Sequence, residues 1–281
     1  MSEQHKWTPE GATPDRATSD RATSDRATVV IVQARLGSTR LPAKVLADLE
    51  GRAVLARVLD RASRSTSVDR VVVATTWLDE DDAIEAWCHE HGWEVHRGHP
   101  SDLLDRYLQT ARRWNATHVV RITSDCPMVD PDVVDHIVGV LHRDPSLDYC
   151  SNTLEPRTFP RGIDVEAFTM EALERSNIAD RDPGTREHVT PHMKSADGFN
   201  RLGVFHSVDL SPIRWTVDTP EDLDVLRRIF RAFDGDDTFS WTDALDVWDR
   251  HPEWNAINRH IEQKPVIRLL DDDGQPISPV G

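Results

Sequence analysis

The run Val29-Val30-Ile31-Val32-Gln33 restricts this chain more than any other segment. Four consecutive apolar β-branched residues, without polar alternation, predict a strand buried on both faces, which belongs to a parallel sheet covered by helices. It runs directly into Ala34-Arg35-Leu36-Gly37-Ser38-Thr39-Arg40-Leu41-Pro42-Ala43-Lys44. No apolar core needs a loop with two Arg, one Lys, two hydroxyls and a Gly that frees backbone N–H groups. Read against the bland alternative of a solvated basic loop, its place after a buried first strand points to a polyanion site, with a nucleoside triphosphate as the guest. The spacing Gly-x4-Gly-Lys-Ser/Thr is absent, as is Gly-x-Gly-x-x-Gly. Phosphates here would be held by side-chain charge as much as by backbone.

The pattern then alternates. Helices are expected at Val54–Ala62, Asp79–His91, Asp102–Trp114 and Asp132–His142, with strands at Val71–Ala74, Trp93–His96 and His118–Ile122. This predicts a three-layer α/β/α, Rossmann-like, mostly parallel sheet, with ligands beyond the carboxyl ends of the strands. After about Leu147 the reading is mixed. Strands are expected at Tyr149–Asn152, Ile163–Phe168, Leu202–His206 and Arg214–Val217, and helices at Thr169–Asn177 and Thr185–Ala196. Another helix starts at Thr219-Pro220, a good cap followed by Pro at the first helical position. Trp241–Ile261 reads as one or two terminal helices. Residues 1–27 carry repeats of Asp-Arg-Ala-Thr-Ser, too small and polar to bury a core. They read as a disordered tail, 28–262 as one domain and 263–281 as a flexible tail.

Acids outnumber Lys and Arg by 49 to 33, a formal charge of −16. Such a surface repels nucleic acid and makes a local cluster of cations informative. No apolar run is long enough to span a bilayer and the N-terminus is polar, so no membrane partner is expected and the expected location is the cytoplasm. Cys88, Cys126 and Cys150 are an odd number without a CxxC pair, which argues against a disulfide framework or structural zinc.

Asp125, in Arg121-Ile122-Thr123-Ser124-Asp125-Cys126-Pro127, follows the fourth strand and faces the same sheet edge as the first loop. A carboxylate opposite triphosphate-binding cations suits Mg²⁺; the alternative is an Asp capping the turn before Pro127. Cys126 reads as a packed thiol, since no electropositive partner is evident. Asp218, in Thr216-Val217-Asp218-Thr219-Pro220, is either a second metal carboxylate or a residue near a helix cap. Glu187 and His188, in Thr185-Arg186-Glu187-His188-Val189-Thr190-Pro191, have the acid and base needed to recognise a substrate.

Together these segments resemble the cytidylyltransferase superfamily that includes the CMP-KDO and CMP-sialic acid (acylneuraminate) synthetases, and within it the spore-coat polysaccharide biosynthesis branch. The resemblance runs from about Val29 to Phe233. Its other carriers are Val72–Thr76, Arg97-Gly98, Asp102–Tyr107, Tyr149–Thr153, Thr158–Glu166 and Thr216–Asp222. It implies that the first loop holds the nucleotide phosphates through Ala34, Arg35, Gly37, Ser38, Arg40 and Lys44. It also implies that Thr75-Thr76 lie at the base and ribose, and that Asp125 and Asp218 are the metal ligands. Ala43 and Ser124 stand where that pattern has Gly, each adding a small side chain where backbone approaches ligand.

The reaction so implied is CTP plus an acidic sugar, or a related polysaccharide precursor, giving a CMP-sugar and pyrophosphate. Arg35, Lys44 and Asp125 would be the catalytic residues and Mg²⁺ the cofactor. Sugar-site candidates lie in the mixed second half: Asn152, Arg157, Arg161, Glu187 and His188. Homodimers are common among relatives, and that half is where an interface would lie. Two alternatives carry different sequence expectations. A nucleotide-sugar glycosyltransferase would show an Asp-x-Asp pair after a central strand, where this chain has Ser124-Asp125-Cys126. A non-catalytic nucleotide-binding protein would draw its support from Ala43 and Ser124.

Overall fold

The computed structural model describes residues 26–263 and the backbone of a two-residue strand, β1 (His5–Lys6). The tails expected at 1–27 and 263–281 otherwise lie outside the described residues. The remaining strands are β2 (Thr28–Gln33), β3 (Arg70–Thr76), β4 (Glu94–Gly98), β5 (His118–Thr123), β6 (Tyr149–Ser151), β7 (Glu166–Thr169) and β8 (Arg201–Phe205). They form one sheet in the order β1-β8-β6-β7-β5-β2-β3-β4. β7 runs antiparallel to both β5 and β6, and every other pairing is parallel.

The helices are α1 (Val54–Ser63), α2 (Asp82–Glu90), α3 (Leu103–Arg113), α4 (Pro131–Arg143), α5 (Met170–Ala179), α6 (Pro183–Arg186), α7 (Pro191–Ser195), α8 (Pro220–Ala232), α9 (Trp241–Arg250) and α10 (Asn255–Asn258). The period-two pleat sends successive residues of the apolar strands to opposite layers. Val30 and Val32 join a core with α1, α4, α8 and α9, whereas Val29 and Ile31 join a second core with α3, α5 and α7. All four are fully buried or nearly so. This is why β2 tolerates no polar alternation.

The chain passes outward from β2 through β3 to β4, then returns to place β5 on the other side of β2. The crevice at this reversal opens beyond the carboxyl ends of β2 and β5, the usual ligand position in such sheets. Loop 34–44 and the turn at Asp125 both end there.

Three segments differ from their sequence readings. Thr185–Ala196 is two short helices, because Pro191 supplies no N–H and Val189 takes a left-handed φ of 68°. Arg214–Val217 is extended but joins no sheet. Its amides are taken by loops instead, Trp215 N–H by Arg161 O (2.7 Å) and Val217 N–H by Asp125 O (2.8 Å). Gly162 permits this approach: its φ is +106°, and a Cβ there would stand 2.3 Å from Trp215 O. Finally, the strand expected at Ile163 begins only at Glu166.

Candidate active site

A cavity of about 350 Å³ fills the crevice. Loop 34–44 forms one wall, with Ala34, Arg35, Gly37, Ser38, Arg40 and Lys44 on its surface. Thr123, Ser124, Asp125 and Asp218 form the floor, and Glu187 and His188 close the side toward the mixed half. The loop is pinned at both ends: Leu36 N–H donates to Asp81 (2.7 Å), and Ala43 N–H returns to Leu36 O (3.2 Å).

Ala43 is the tight point of the loop. Its φ of 53° and ψ of 24° are left-handed, and Lys44 follows at once in a single 3₁₀ turn. A Cβ in this region costs about 1–2 kcal/mol. Ala43→Gly is therefore expected to raise stability by about 1 kcal/mol net of the added chain entropy. The shift in the denaturant midpoint measures it, and a lowered midpoint would contradict the strain.

Lys44 Nζ lies 2.8 Å from Asp125 Oδ2, 2.8 Å from Asp218 Oδ1 and 2.7 Å from Val217 O. Burial opposes its charged form, but the two carboxylates outweigh that and hold its pKa above the ordinary value. Asp218 is likewise buried, yet Lys44, Arg40 and Arg214 keep its carboxyl below the usual range. Arg40 and Arg214 reach its Oδ2 at 2.9 and 2.8 Å. Thr123 Oγ1 donates to Asp125 Oδ1 at 2.6 Å.

The cap of α8 builds the Asp218 position. Asp222, fully buried, accepts from the amides of Asp218 and Thr219 and from Arg214, while Thr219 Oγ1 accepts from Asp222 N–H. The sequence Val-Asp-Thr-Pro-Glu-Asp is thus both a capping box and a mount for one carboxylate.

Three oxygens from two distant segments converge on one cation position, now taken by Lys44 Nζ. An all-oxygen set suits a hard divalent cation. Among the described residues no group of three or more His, Cys, Asp or Glu could hold a metal. The two carboxylates would therefore need further oxygens, such as phosphates and water, to complete a shell.

The structure does not bring the other candidates to this cavity. Thr75 and Thr76 continue β3 and are buried; Thr76 Oγ1 bonds Asp81. Asn152 fastens the loop before β7, donating to Ile163 O (2.8 Å) and accepting from Val165 N–H (2.9 Å). Arg157 is held by Asp164, Phe159 O and Pro160 O. Arg161 opens on a different pocket. Cys126 is buried, and burial pushes its thiol well above the ordinary value, as befits a packed side chain.

Arg106 and Arg214 escaped the sequence reading. Arg106 lines the cavity from α3, donating to the carbonyls of His99 (3.1 Å), Pro100 (3.1 Å) and Ala74 (3.4 Å). The available signal was a cation on the apolar face of Leu103, Leu104 and Tyr107. For Arg214 it was the i,i+4 spacing to Asp218.

The family model for cytidylyltransferases matches residues 29–232, which contain every residue of this site. The chain belongs to the cytidylyltransferase family. This enzyme is 29% identical over 231 residues to the spore coat polysaccharide biosynthesis protein SpsF of Bacillus subtilis, covering 79% of this chain and 94% of that one. It is 27% identical over 242 residues to the 3-deoxy-manno-octulosonate cytidylyltransferase of an Anaeromyxobacter species, covering 72% and 96%. Among solved structures, a cytidylyltransferase from Leptospira borgpetersenii superimposes with a TM-score of 0.78 at 32% identity, covering 85% of this chain and all of that one. The enzyme is a nucleotidyltransferase acting with CTP, and its fold is that of the family. No helix among its described residues is long and apolar enough to cross a membrane.

Proposed function

We propose that this enzyme joins CMP to an acidic sugar or a related polysaccharide precursor, releasing pyrophosphate. The observation that carries the reading is the convergence of Asp125 and Asp218 on one cation position beside Arg35, Arg40 and Lys44. The named activity of the Anaeromyxobacter relative supports a sugar acid as acceptor. Asp125 and Asp218 would hold Mg²⁺, which when bound neutralises charge on the triphosphate.

The chain's own residues do the rest by position and charge. Loop 34–44 holds the triphosphate through Arg35, Arg40 and Lys44. The amides of Gly37, Thr39 and Arg40 are used by no other described residue, which leaves them for phosphate oxygens. An acceptor hydroxyl oxygen attacks the α-phosphorus in line as the bond to the β-phosphate oxygen breaks. Lys44, Arg35 and Arg40 stabilise the leaving pyrophosphate. No covalent enzyme intermediate is needed.

Glu187 and His188 face the acceptor side. Burial, with Arg121 and Arg35 nearby, lowers the His188 pKa from its ordinary 6.5, so its imidazole is neutral at pH 7 and able to take the hydroxyl proton. Lowering the pH protonates it, so kcat/KM should be flat near neutrality and fall below pH 6.5. In His188→Gln that acid limb should vanish along with much of the rate. An unchanged limb in the variant would remove His188 from the proton transfer.

A pyrophosphate-release screen crossing four nucleoside triphosphates with acidic sugars and phosphonates, with Mg²⁺ at high salt, tests the reading. Release with CTP and one acceptor class is expected. Binding of CTP without turnover on any acceptor, or transfer from a ready-made nucleotide sugar, would sink it.

A further inference from the structure

Arg161 stands outside the nucleotide cavity, and its guanidinium makes no hydrogen bond or ion pair among the described residues. Arg259 is in the same state. In a chain with a formal charge of −16, two unmatched cations lining one pocket need a reason. Both line a second pocket of about 120 Å³, together with Arg214, Ser211, Asn258 and Gln263. Among the described residues no carboxylate lines it. Asp218 and Asp222 hold Arg214 from its far side, at 2.8 and 2.9 Å, and leave Nη1 to Gln263 Oε1 at 2.6 Å. Asp164 and Glu155 act on Arg161 only through space, against the like charges of Arg157 and Arg214.

The pocket is built on its inner side as well. Asn258 is 1% exposed; its amide donates to Arg214 O (2.9 Å) and Asp222 (3.0 Å), but its Oδ1 is buried without a partner. The lining residues therefore carry guanidinium donors, a hydroxyl and one orphaned acceptor. A hydrogen phosphate answers all three, with several acceptor oxygens and one O–H donor. A carboxylate lacks the O–H.

We propose that this pocket is a second site for a small tetrahedral oxyanion of the phosphate class, held by Arg161, Arg259 and the Nη1 of Arg214 in place of Gln263. Arg214 couples it to the nucleotide cavity, since its Nη2 donates to Asp218. Inorganic phosphate and one phosphoryl end of pyrophosphate share the chemistry, and separate arms distinguish them.

Inorganic phosphate is titrated calorimetrically into the full chain, into Lys44→Met and into Lys44→Met carrying Arg161→Met/Arg259→Met. Lys44→Met, whose nucleotide cavity has lost its central cation, should still bind phosphate. The added double substitution should cost at least roughly tenfold in affinity, the scale of one lost charge-assisted contact, and Arg161→Lys/Arg259→Lys should recover part of it. Pyrophosphate titrated into Lys44→Met, with and without the double substitution, shows whether the product enters the pocket. Unchanged melting of the double variant without phosphate controls for the fold. The proposal fails if phosphate does not bind the wild type at millimolar concentration. It also fails if binding in the Lys44→Met background survives the added double substitution, or if Lys44→Met binds no phosphate.

Discussion

Replacing Lys44 with Ala should lower turnover by roughly ten- to a thousand-fold, by analogy with the loss of one preorganised transition-state donor. Two effects add. The ammonium is absent when negative charge builds on the departing pyrophosphate. In addition, Asp125 and Asp218, each 2.8 Å from Nζ, lose the ammonium that neutralises them together before metal and nucleotide enter. Arg40 and Arg214 still hold Asp218, so the fold of the floor should survive. Lys44→Arg should not restore activity, because a planar fork does not place one point charge between three oxygens. The measurement is single-turnover pyrophosphate release at saturating CTP, with circular dichroism as the fold control. Unchanged release would remove the loop from the mechanism.

The second large effect concerns stability. Glu166 is 4% exposed and its Oε1 accepts from Arg121 (2.8 Å) and Lys194 (3.1 Å). Arg121 Nε also donates to Gln33, which lines the cavity, so this buried cluster backs the acceptor side. Glu166→Ala leaves two cations facing each other inside the protein and should cost about 3–5 kcal/mol, as for other broken buried pairs. Burial raises the Glu166 pKa, but Lys194 and Arg121 overcome it and bring it to about 2, against an ordinary 4.5. A depressed carboxylate contributes stability that is complete above its unfolded value. The wild type's advantage over Glu166→Gln should thus be full above pH 4.5 and shrink as pH falls toward 2. Urea unfolding at several pH values measures both. A loss in Glu166→Ala well under 1 kcal/mol would mean that the cluster contributes nothing net.

Where side chains repeat with a period, the sequence was readable. Val29–Val32 announced a strand buried on both faces, and its two alternating sets enter two separate cores. Thr219-Pro220 announced a helix start, and a capping box stands there. Reading was weakest where the backbone is satisfied by distant loops. Arg214–Val217 looks like a strand because Trp, Thr and Val favour extended backbone. Only the fold shows that Arg161 and Asp125 take its amides. Asn152 and Arg157 looked like sugar-binding residues by residue type, yet both are consumed in tying the 152–165 loop to itself.

The sequence alone determined the covered parallel sheet and the cationic loop at its edge, because burial pattern and charge are local properties of the chain. It also marked Asp125 and Asp218 as unusual. It could not bring them together. They meet because β5 crosses back beside β2 and because Asp222, Arg214 and Gly162 draw the 214–218 segment under the first loop. The tertiary structure alone decided that Lys44 sits between the two carboxylates, and that Arg161 faces a pocket of its own. Both depend on contacts between residues far apart in sequence, whose distances no local pattern encodes.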